Sequence, residues 1–173
     1  MTKSFSRLIG NEIATLLIPT TVTLLTARDE DGTDKVATIA WAMPISHEPS
    51  LIAVAIRPDG QTACAMRASG SFIVNVLGAS EDAVSIAMTC GKKRGIDDRI
   101  AEAQLTTCPS AHVDAARIEQ AISWIECELV ESHVHGDHEL FIGRTLVAET
   151  RGTLDGSGKL EPMPALLMGQ LGR

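Results

Sequence analysis

The stretch VATIAWAMPISHEPSLIAVAIR, residues 36–57, decides how the rest of the chain is arranged. It begins with an apolar run typical of a strand, residues 36–41, and ends with a second such run, residues 51–56. The segment between them contains two prolines and reads as a loop, so we expect the two runs to pair as antiparallel strands. A crossover through a helix would need a longer connection.

Small side chains recur through both runs, where Val or Ile is the usual choice in a strand. They allow a large flat molecule to lie close to the backbone, and the basic residue that ends the second run can hold an anion. The pattern indicates a bound cofactor, but a tightly packed neighbouring element would explain it equally well. The residues concerned are Ala37, Ala40, Ala42, Ala53, Ala55 and Arg57.

Length and composition are typical of one soluble globular domain, residues 1–173, because 45% of the residues are hydrophobic and 21% are charged. The net charge of −7 makes nucleic acid a poor partner. No apolar run approaches the roughly 20 residues that a membrane helix needs, so we expect no membrane association. Polar residues are scattered through the first 20 positions, which is not typical of a secretory signal, and we expect a cytoplasmic protein.

Basic residues are concentrated in one central segment, enough for a local anion site on an acidic protein. The four cysteines include no CxxC pair, which predicts neither a zinc site nor a disulfide framework. Cys90 is the thiol whose surroundings are expected to lower its pKa, since Gly91 and a basic run follow it. The basic segment comprises Arg57, Arg67, Lys92, Lys93, Arg94 and Arg99.

The remaining patterns predict about six strands and three short helices. We expect Thr62 to cap the first helix and Gly70 to end it, while Ser80 caps the second helix and Gly91 follows its end. The expected strands are residues 20–28, 36–41, 51–56, 71–77, 122–130 and 138–149, and the expected helices are residues 61–68, 81–90 and 97–103.

The order of these elements favours a small antiparallel barrel whose openings are plugged by helices. Gly136 and Asp137 form a hairpin-turn signal between the last two strands. Residues 1–13 read as an N-terminal arm, and residues 151–173 as a tail that can dock on the barrel or on a second subunit. We find no glycine-rich nucleotide-binding loop.

The string HVHGDH, residues 133–138, is the most prominent local motif. Three imidazoles and a carboxylate suit a zinc site, and the string resembles the metal motif of the metallo-β-lactamase family. That family needs further histidines downstream, and no histidine follows His138. We therefore predict no metal site and keep a metal-dependent hydrolase as a minor alternative.

A series of short motifs, in order along the chain, resembles the flavin reductase-like family of FMN-binding split barrels. The series runs from about residue 15 to residue 150. Each motif is weak alone, and the ordered set is strong. The motifs are VATIAWAMPIS (36–46), AVAIRP (53–58), Thr62, SGSFIVNV (69–76), CG (90–91), DRI (98–100) and GDHELFIG (136–143).

The resemblance implies a mainly β fold with short helices, a six-stranded antiparallel Greek-key split barrel spanning about residues 15–150. It also implies a homodimer with FMN near the subunit interface, reduced by NADH or NADPH. The electron acceptor could be free flavin for a partner monooxygenase, a ferric chelate or another redox protein. An electron-carrier module without useful NAD(P)H oxidase activity is the alternative.

The resemblance also implies roles for individual residues. The isoalloxazine ring would lie along Thr38, Ile39, Ala40 and Trp41, and the nicotinamide side of the flavin would face His138. The phosphate would be held by Arg57, Thr62 and Arg99, with Asn75, Cys90 and Gly91 nearby.

Overall fold

A computed structural model of the chain describes residue 7, residues 9–91 and residues 97–171. Its main feature is a seven-stranded antiparallel sheet in the order β2-β1-β5-β8-β9-β4-β3, with β6 and β7 forming a separate two-stranded sheet. The strands are β1 (Thr23–Arg28), β2 (Asp34–Ile39), β3 (Ala42–Ser46), β4 (Leu51–Ile56), β5 (Ser71–Leu77), β6 (Thr107–Cys108), β7 (Arg117–Ile118), β8 (Ala121–His135) and β9 (His138–Thr150).

The predicted mainly β, antiparallel class is confirmed, but the predicted number of six strands is too low. Part of the difference comes from β3, a strand where the two prolines predicted a loop. Pro44 has no N–H to donate, and β3 tolerates it because it lies at the edge of the sheet.

Apart from one hydrogen bond at Trp41, the last residue of the first run, the two apolar runs of residues 36–57 do not pair with each other, so that prediction is wrong. The first run pairs with β1, in a register that places Val36 opposite Thr26. The second run, β4, pairs with β3 on one side and with β9 on the other. β3 follows β2 after only two residues. It therefore takes the position beside β4 that we predicted for residues 36–41.

Ala40 and Trp41 connect the two edges of the sheet. They follow β2 at one edge and precede β3 at the other. The Ala55 N–H, on β4, donates to the Trp41 carbonyl at 2.9 Å. The chain thus closes the sheet into a barrel at these two residues. Within the barrel, the spatial order β5-β8-β9-β4 is that of a Greek key.

Three helices lie against this barrel: α1 (Gln61–Ser69), α2 (Glu81–Cys90) and α3 (Arg99–Glu102). α1 packs against β1 and β2, whereas α2 and α3 pack against β2. The ends predicted for α2 are confirmed, because the Ser80 hydroxyl accepts a hydrogen bond from the Ala83 N–H and Gly91 follows the last helical residue.

The start of α1 differs from our prediction. Gly60, not Thr62, is the N-cap, and no side chain caps the helix. Gly70 ends it as predicted, in the left-handed conformation with φ 66° that favours glycine. Thr62 therefore lies inside the first turn, where its hydroxyl is not used as a cap.

The core has two main parts because successive residues of a strand face opposite sides of the sheet. Leu24 belongs to a cluster with apolar residues of α2, whereas Leu25 belongs to a cluster with apolar residues of α1, including Ala63. α1 and α2 thus cover opposite faces of β1. In the barrel wall, Gly143 lies so close to Phe72 that an added Cβ would overlap the ring.

Trp124 is a core residue. It is buried, and its indole N–H donates to the Ile118 carbonyl at 2.9 Å. The predicted tail docks on the barrel, since Ala165 bridges Gly78 and Leu166 is fully buried. At the other end of the chain, Gly10–Leu17 forms a 3₁₀ helix.

The helices of the described ranges are all too short to serve as membrane spans. The basic residues Lys92, Lys93 and Arg94 of the predicted anion segment lie outside the described ranges.

Candidate functional site

The end of α2 and the start of α3 meet on β2. The Thr38 hydroxyl, on β2, donates to the Ala87 carbonyl of α2 at 2.7 Å. The Arg99 guanidinium, at the first residue of α3, donates to the Val36 carbonyl at 3.3 Å. Gly91 lies beside Thr38, because a Cβ added to Gly91 would be 3.5 Å from the Thr38 Cβ. Three of the predicted site residues, Thr38, Gly91 and Arg99, are thus gathered along β2.

Cys90 lies in the same region, but its thiol differs from our prediction. The side chain is buried, and burial raises the pKa of the thiol to about 11, against a smaller opposing effect of the nearby Arg99 charge. The expectation of a lowered pKa is therefore wrong. At neutral pH the thiol is protonated and acts as a small core residue.

Thr62, another of the predicted site residues, is a buried residue at the start of α1. It is 1% exposed, and its hydroxyl has no hydrogen-bond partner among the residues that the structure describes. A buried hydroxyl without a partner is costly. The hydroxyl lies in the first turn of α1, where the backbone N–H groups also lack intrahelical partners and no acidic side chain is present. Such a helix start suits an anion.

Arg57 is joined to this helix start by a tight loop. Its carbonyl accepts a hydrogen bond from the N–H of Gly60, the α1 N-cap, at 3.2 Å. Its side chain is half exposed, and the Nε atom lies 3.5 Å from an Asp59 carboxylate oxygen. A partly exposed guanidinium with one long ion-pair contact retains donors for a further anion.

Trp41 and His138 form the third part of the site. Their ring centroids are 4.6 Å apart with the planes tilted by 42°. Trp41 is 49% exposed, which is high for an indole. His138 Nδ1 lies 2.8 Å from Asp137 Oδ1, and this contact, together with a smaller effect of Arg57, lowers the pKa of the Asp137 carboxyl.

Arg57 and His138 lie side by side. Ile56 pairs with Glu139 across β4 and β9, so the next residue of one strand and the preceding residue of the other are neighbours. Arg57 thus lies next to the pair formed by Trp41 and His138 and, through the loop to Gly60, next to the start of α1.

The structure does not bring Asn75 to this region. Its side chain is fully buried, its amide donates to the Leu24 carbonyl and the Thr26 hydroxyl, both at 3.1 Å, and its oxygen accepts from the Ile118 N–H at 2.9 Å. Ile39 is also buried, in the cluster that contains α1 residues. Ala40 lies in the two-residue connection that closes the barrel.

Glu139 is a residue that our sequence analysis did not single out. Its carboxylate is buried, forms an ion pair with Arg67, and accepts a hydrogen bond from the Ser132 hydroxyl at 2.7 Å. The signal for it was the period of two along a strand. If His138 faces outward, the next residue faces inward, and an inward carboxylate needs a partner.

The histidines of the HVHGDH string are spread along the β8–β9 hairpin. His133 is largely exposed and lies 3.3 Å from a Glu131 carboxylate oxygen, and the rings of His133 and His135 are 6.4 Å apart. Within the described ranges, no group of three or more His, Cys, Asp or Glu side chains is arranged to hold a metal ion.

These strands and helix ends define a split barrel of the kind found in flavin reductases. Comparison with protein families matches residues 15–169 to the "Flavin reductase like domain". The chain belongs to this family, as the motifs of the sequence predicted.

Curated proteins with similar sequences include two reductases. The chain is 29% identical to "Stachydrine N-demethylase reductase subunit Stc3" of Rhizobium meliloti, over 81% of this chain and 57% of the relative. It is 28% identical to "NADH-dependent FMN reductase AsuE2" of Streptomyces nodosus, over 74% of this chain and 67% of the relative. The chain spans 55 to 60% of the length of the first three curated relatives that it matches.

Among solved structures, the flavoredoxin of Desulfovibrio vulgaris superposes with a TM-score of 0.75 at 25% identity, over 93% of this chain and 83% of the other.

Proposed function

We propose that this protein is a cytoplasmic flavin reductase that binds FMN and transfers reducing equivalents to it from NADH or NADPH. The observation that carries the proposal is the unpartnered, buried Thr62 hydroxyl at the start of α1, beside Arg57. The folded chain leaves this hydroxyl without a described partner, and an acceptor oxygen of the bound cofactor would satisfy it.

The phosphate of FMN fits this end of the site. It is doubly ionised, and the start of α1 offers backbone N–H groups, the Thr62 hydroxyl and the neighbouring Arg57 guanidinium. Arg99 lies with α2 and α3 on the other side of β2, so its contact with the phosphate stays a prediction of the family resemblance. Each hydrogen bond to a charged group contributes about 1.5–3 kcal/mol. FMN should therefore bind more tightly than riboflavin, which lacks the phosphate.

The flavin ring would lie along the connection between β2 and β3. Thr38, Ile39, Ala40 and Trp41 would line it with backbone and side chains, and Gly91 would allow close approach at the end of α2. Bound FMN supplies the hydride chemistry, so no acid–base pair of the protein is required. His138, held by Asp137 and packed on Trp41, would face the side where the nicotinamide approaches.

The names of the relatives support parts of this proposal. One is described as an NADH-dependent FMN reductase and another as the reductase subunit of a demethylase. We therefore propose a partner oxygenase as the consumer of the electrons. The likeness to a flavoredoxin favours a second candidate, an electron carrier that holds FMN without useful NAD(P)H oxidase activity.

We also propose a homodimer. Trp41, Met43 and Ile45 follow one another along the edge strand β3 and its entry, and each is between 44% and 58% exposed. Val130 and Val134 are exposed apolar residues on β8, which is separated from β3 by β9 and β4. Contiguous exposed apolar surface is typical of an interface. Light scattering of the purified protein should give twice the mass of the chain.

The absorption spectrum of the pure protein tests the main proposal. We expect flavin bands, either as purified or after addition of FMN, and anaerobic bleaching when NADH or NADPH is added. Protein that does not take up FMN would contradict the proposal. FMN that is bound but not reduced by either nicotinamide would select the electron carrier.

His138 offers a sharper test of the reductase against the carrier. His138→Ala should slow flavin reduction by NADH at least about tenfold in stopped-flow measurements, a typical loss for a side chain near the reacting atoms. His133→Ala is the matched control on the same hairpin and should change nothing. An unchanged rate in His138→Ala would remove the histidine from the nicotinamide side.

A further inference from the structure

Arg67 and Glu139 form an ion pair that connects α1 with β9. The Glu139 carboxylate is 5% exposed, with one oxygen on the Arg67 guanidinium and the other accepting from the Ser132 hydroxyl at 2.7 Å. A buried carboxylate depends strongly on its cation, because removing the cation leaves an uncompensated charge. Glu139 thereby determines where the Arg67 guanidinium lies.

The same guanidinium holds a loop of the proposed site. Its second terminal nitrogen donates to the Pro58 carbonyl at 3.0 Å. Pro58 is the residue after Arg57, and the loop ends two residues later at Gly60, the N-cap of α1. Both groups proposed to bind the phosphate, the Arg57 side chain and the Thr62 hydroxyl, thus flank a loop whose middle is hydrogen-bonded to Arg67.

Arg67 is itself too committed to serve as a ligand. Its donors are shared among the Glu139 carboxylate, the Pro58 carbonyl and the Cys64 sulfur, the last at 3.2 Å. A guanidinium can serve several acceptors at once because its donors form a rigid planar fork. A lysine at this position would keep the charge but offer one flexible ammonium group.

We propose that Arg67, oriented by Glu139, is a positioning residue for the cofactor phosphate, acting through the Pro58 carbonyl on the loop of residues 57–60. The inference rests on the proposed function, since it assigns a role within the same site. Arg67 acts at a distance: it fixes the spacing between Arg57 and the start of α1 so that both contact one phosphate. Loss of that spacing weakens phosphate binding and leaves ring binding unchanged.

The experiment compares the affinities of FMN and riboflavin for wild-type protein and for Arg67→Lys by fluorescence titration. The Kd for FMN should rise about tenfold, corresponding to loss of one well-placed charge-assisted hydrogen bond, while the Kd for riboflavin stays within about twofold. Arg144→Lys is the matched control, because Arg144 pairs with Glu128 across β8 and β9 and both side chains are half exposed. Its ratio of FMN to riboflavin affinity should equal that of the wild type.

Glu139→Gln is the second variant, and it decides the question if Arg67→Lys does not fold. The amide keeps the shape and an acceptor for Ser132 but removes the charge that orients Arg67. We expect a smaller shift in the same direction, about threefold in the FMN affinity alone.

The possible outcomes separate the two proposals. Wild-type protein that binds no flavin, or that does not prefer FMN to riboflavin, contradicts the proposed function itself. A wild-type preference for FMN that persists in both variants overturns the positioning role only. Equal weakening of both flavins also overturns it, because a general structural defect does not distinguish them.

Discussion

Asn75 and Thr62 are both buried polar residues that the sequence singled out, yet their surroundings differ completely. Asn75 has partners for its amide and for its oxygen within the barrel. Thr62 is as deeply buried, but its hydroxyl has no partner within the part of the chain that the structure describes. Full internal pairing indicates a structural role, whereas an unsatisfied buried donor at a helix start indicates a place for a ligand.

The largest effect should be on the free energy of unfolding, and it should come from Asn75, whose polar atoms are paired within the barrel. Asn75→Ala leaves the Ile118 N–H and the Leu24 carbonyl without their partner and opens a cavity, so it should lower the free energy of unfolding by about 3 kcal/mol. Urea unfolding measures the loss. Ser123→Ala, which removes an exposed hydrogen bond on β8, should change the value by less than about 0.5 kcal/mol. If Asn75→Ala lost no more stability than is expected for Ser123→Ala, the structural role of Asn75 would be contradicted.

Arg57→Ala should have the next largest effect, on binding rather than on folding. It removes a half-exposed guanidinium proposed to contact the phosphate, so the Kd for FMN should rise roughly 10- to 100-fold. Riboflavin should bind nearly as before, and Arg144→Ala should leave both affinities unchanged. Equal losses for FMN and riboflavin would remove Arg57 from the phosphate site.

Thr62→Val sharpens the comparison most directly, with a moderate effect. Valine has nearly the same shape, and without a ligand the hydroxyl has no described partner to lose, so the free energy of unfolding should stay the same or rise by about 1 kcal/mol. The Kd for FMN should nevertheless rise about tenfold and that for riboflavin should not. Destabilisation of the ligand-free protein comparable to Asn75→Ala would mean that the hydroxyl is paired in the fold.

The effect of Cys90, a buried thiol of the structural kind, is the smallest at neutral pH, because it develops only in alkaline solution. Its folded pKa is about 11 against a reference value of 9.0, so between these values the folded state binds more protons than the unfolded state. The free energy of unfolding should therefore fall as the pH rises from about 9 to about 11, while the thiol contributes no such loss below pH 9.

Cys90→Ala should flatten this decline, which unfolding measurements at about pH 8 and about pH 10.5 would detect. Ser123→Ala provides the control, because it removes no titratable group and should leave the slope unchanged. If the free energy of unfolding changed equally with pH in wild type and in Cys90→Ala, the Cys90 thiol would be accessible to water in the folded protein.

Much of the architecture was predictable because it depends on local patterns. The caps at Ser80 and Gly70, the hairpin turn at Gly136 and the antiparallel strands follow from residue types at short spacing. The pairing of residues 36–41 was not predictable, since the sequence shows that a run is a strand but not which neighbour it pairs with. The loop predicted at Pro44 is wrong because an edge strand tolerates what an inner strand cannot, whereas Pro49 does lie in a turn.

The candidate site was predictable only in part, for a related reason. Motif order placed Thr62, Arg57 and His138 among the candidates, and the structure connects them. The same reasoning placed Asn75 with them, although its side chain is paired within the barrel. The pKa predicted for the Cys90 thiol from the basic run after it is wrong, because burial depends on what packs above a residue. Glu139 and its link to Arg67 join residues 72 positions apart, which no local pattern reveals.

By itself, the sequence determined the fold class and the family, because hydrophobic period, turn residues and ordered motifs are properties of neighbouring positions. The tertiary structure alone decided which polar side chains are paired and which remain unsatisfied. That distinction depends on atoms brought together from distant parts of the chain, as the contrast between the paired Asn75 and the Thr62 hydroxyl without a described partner shows.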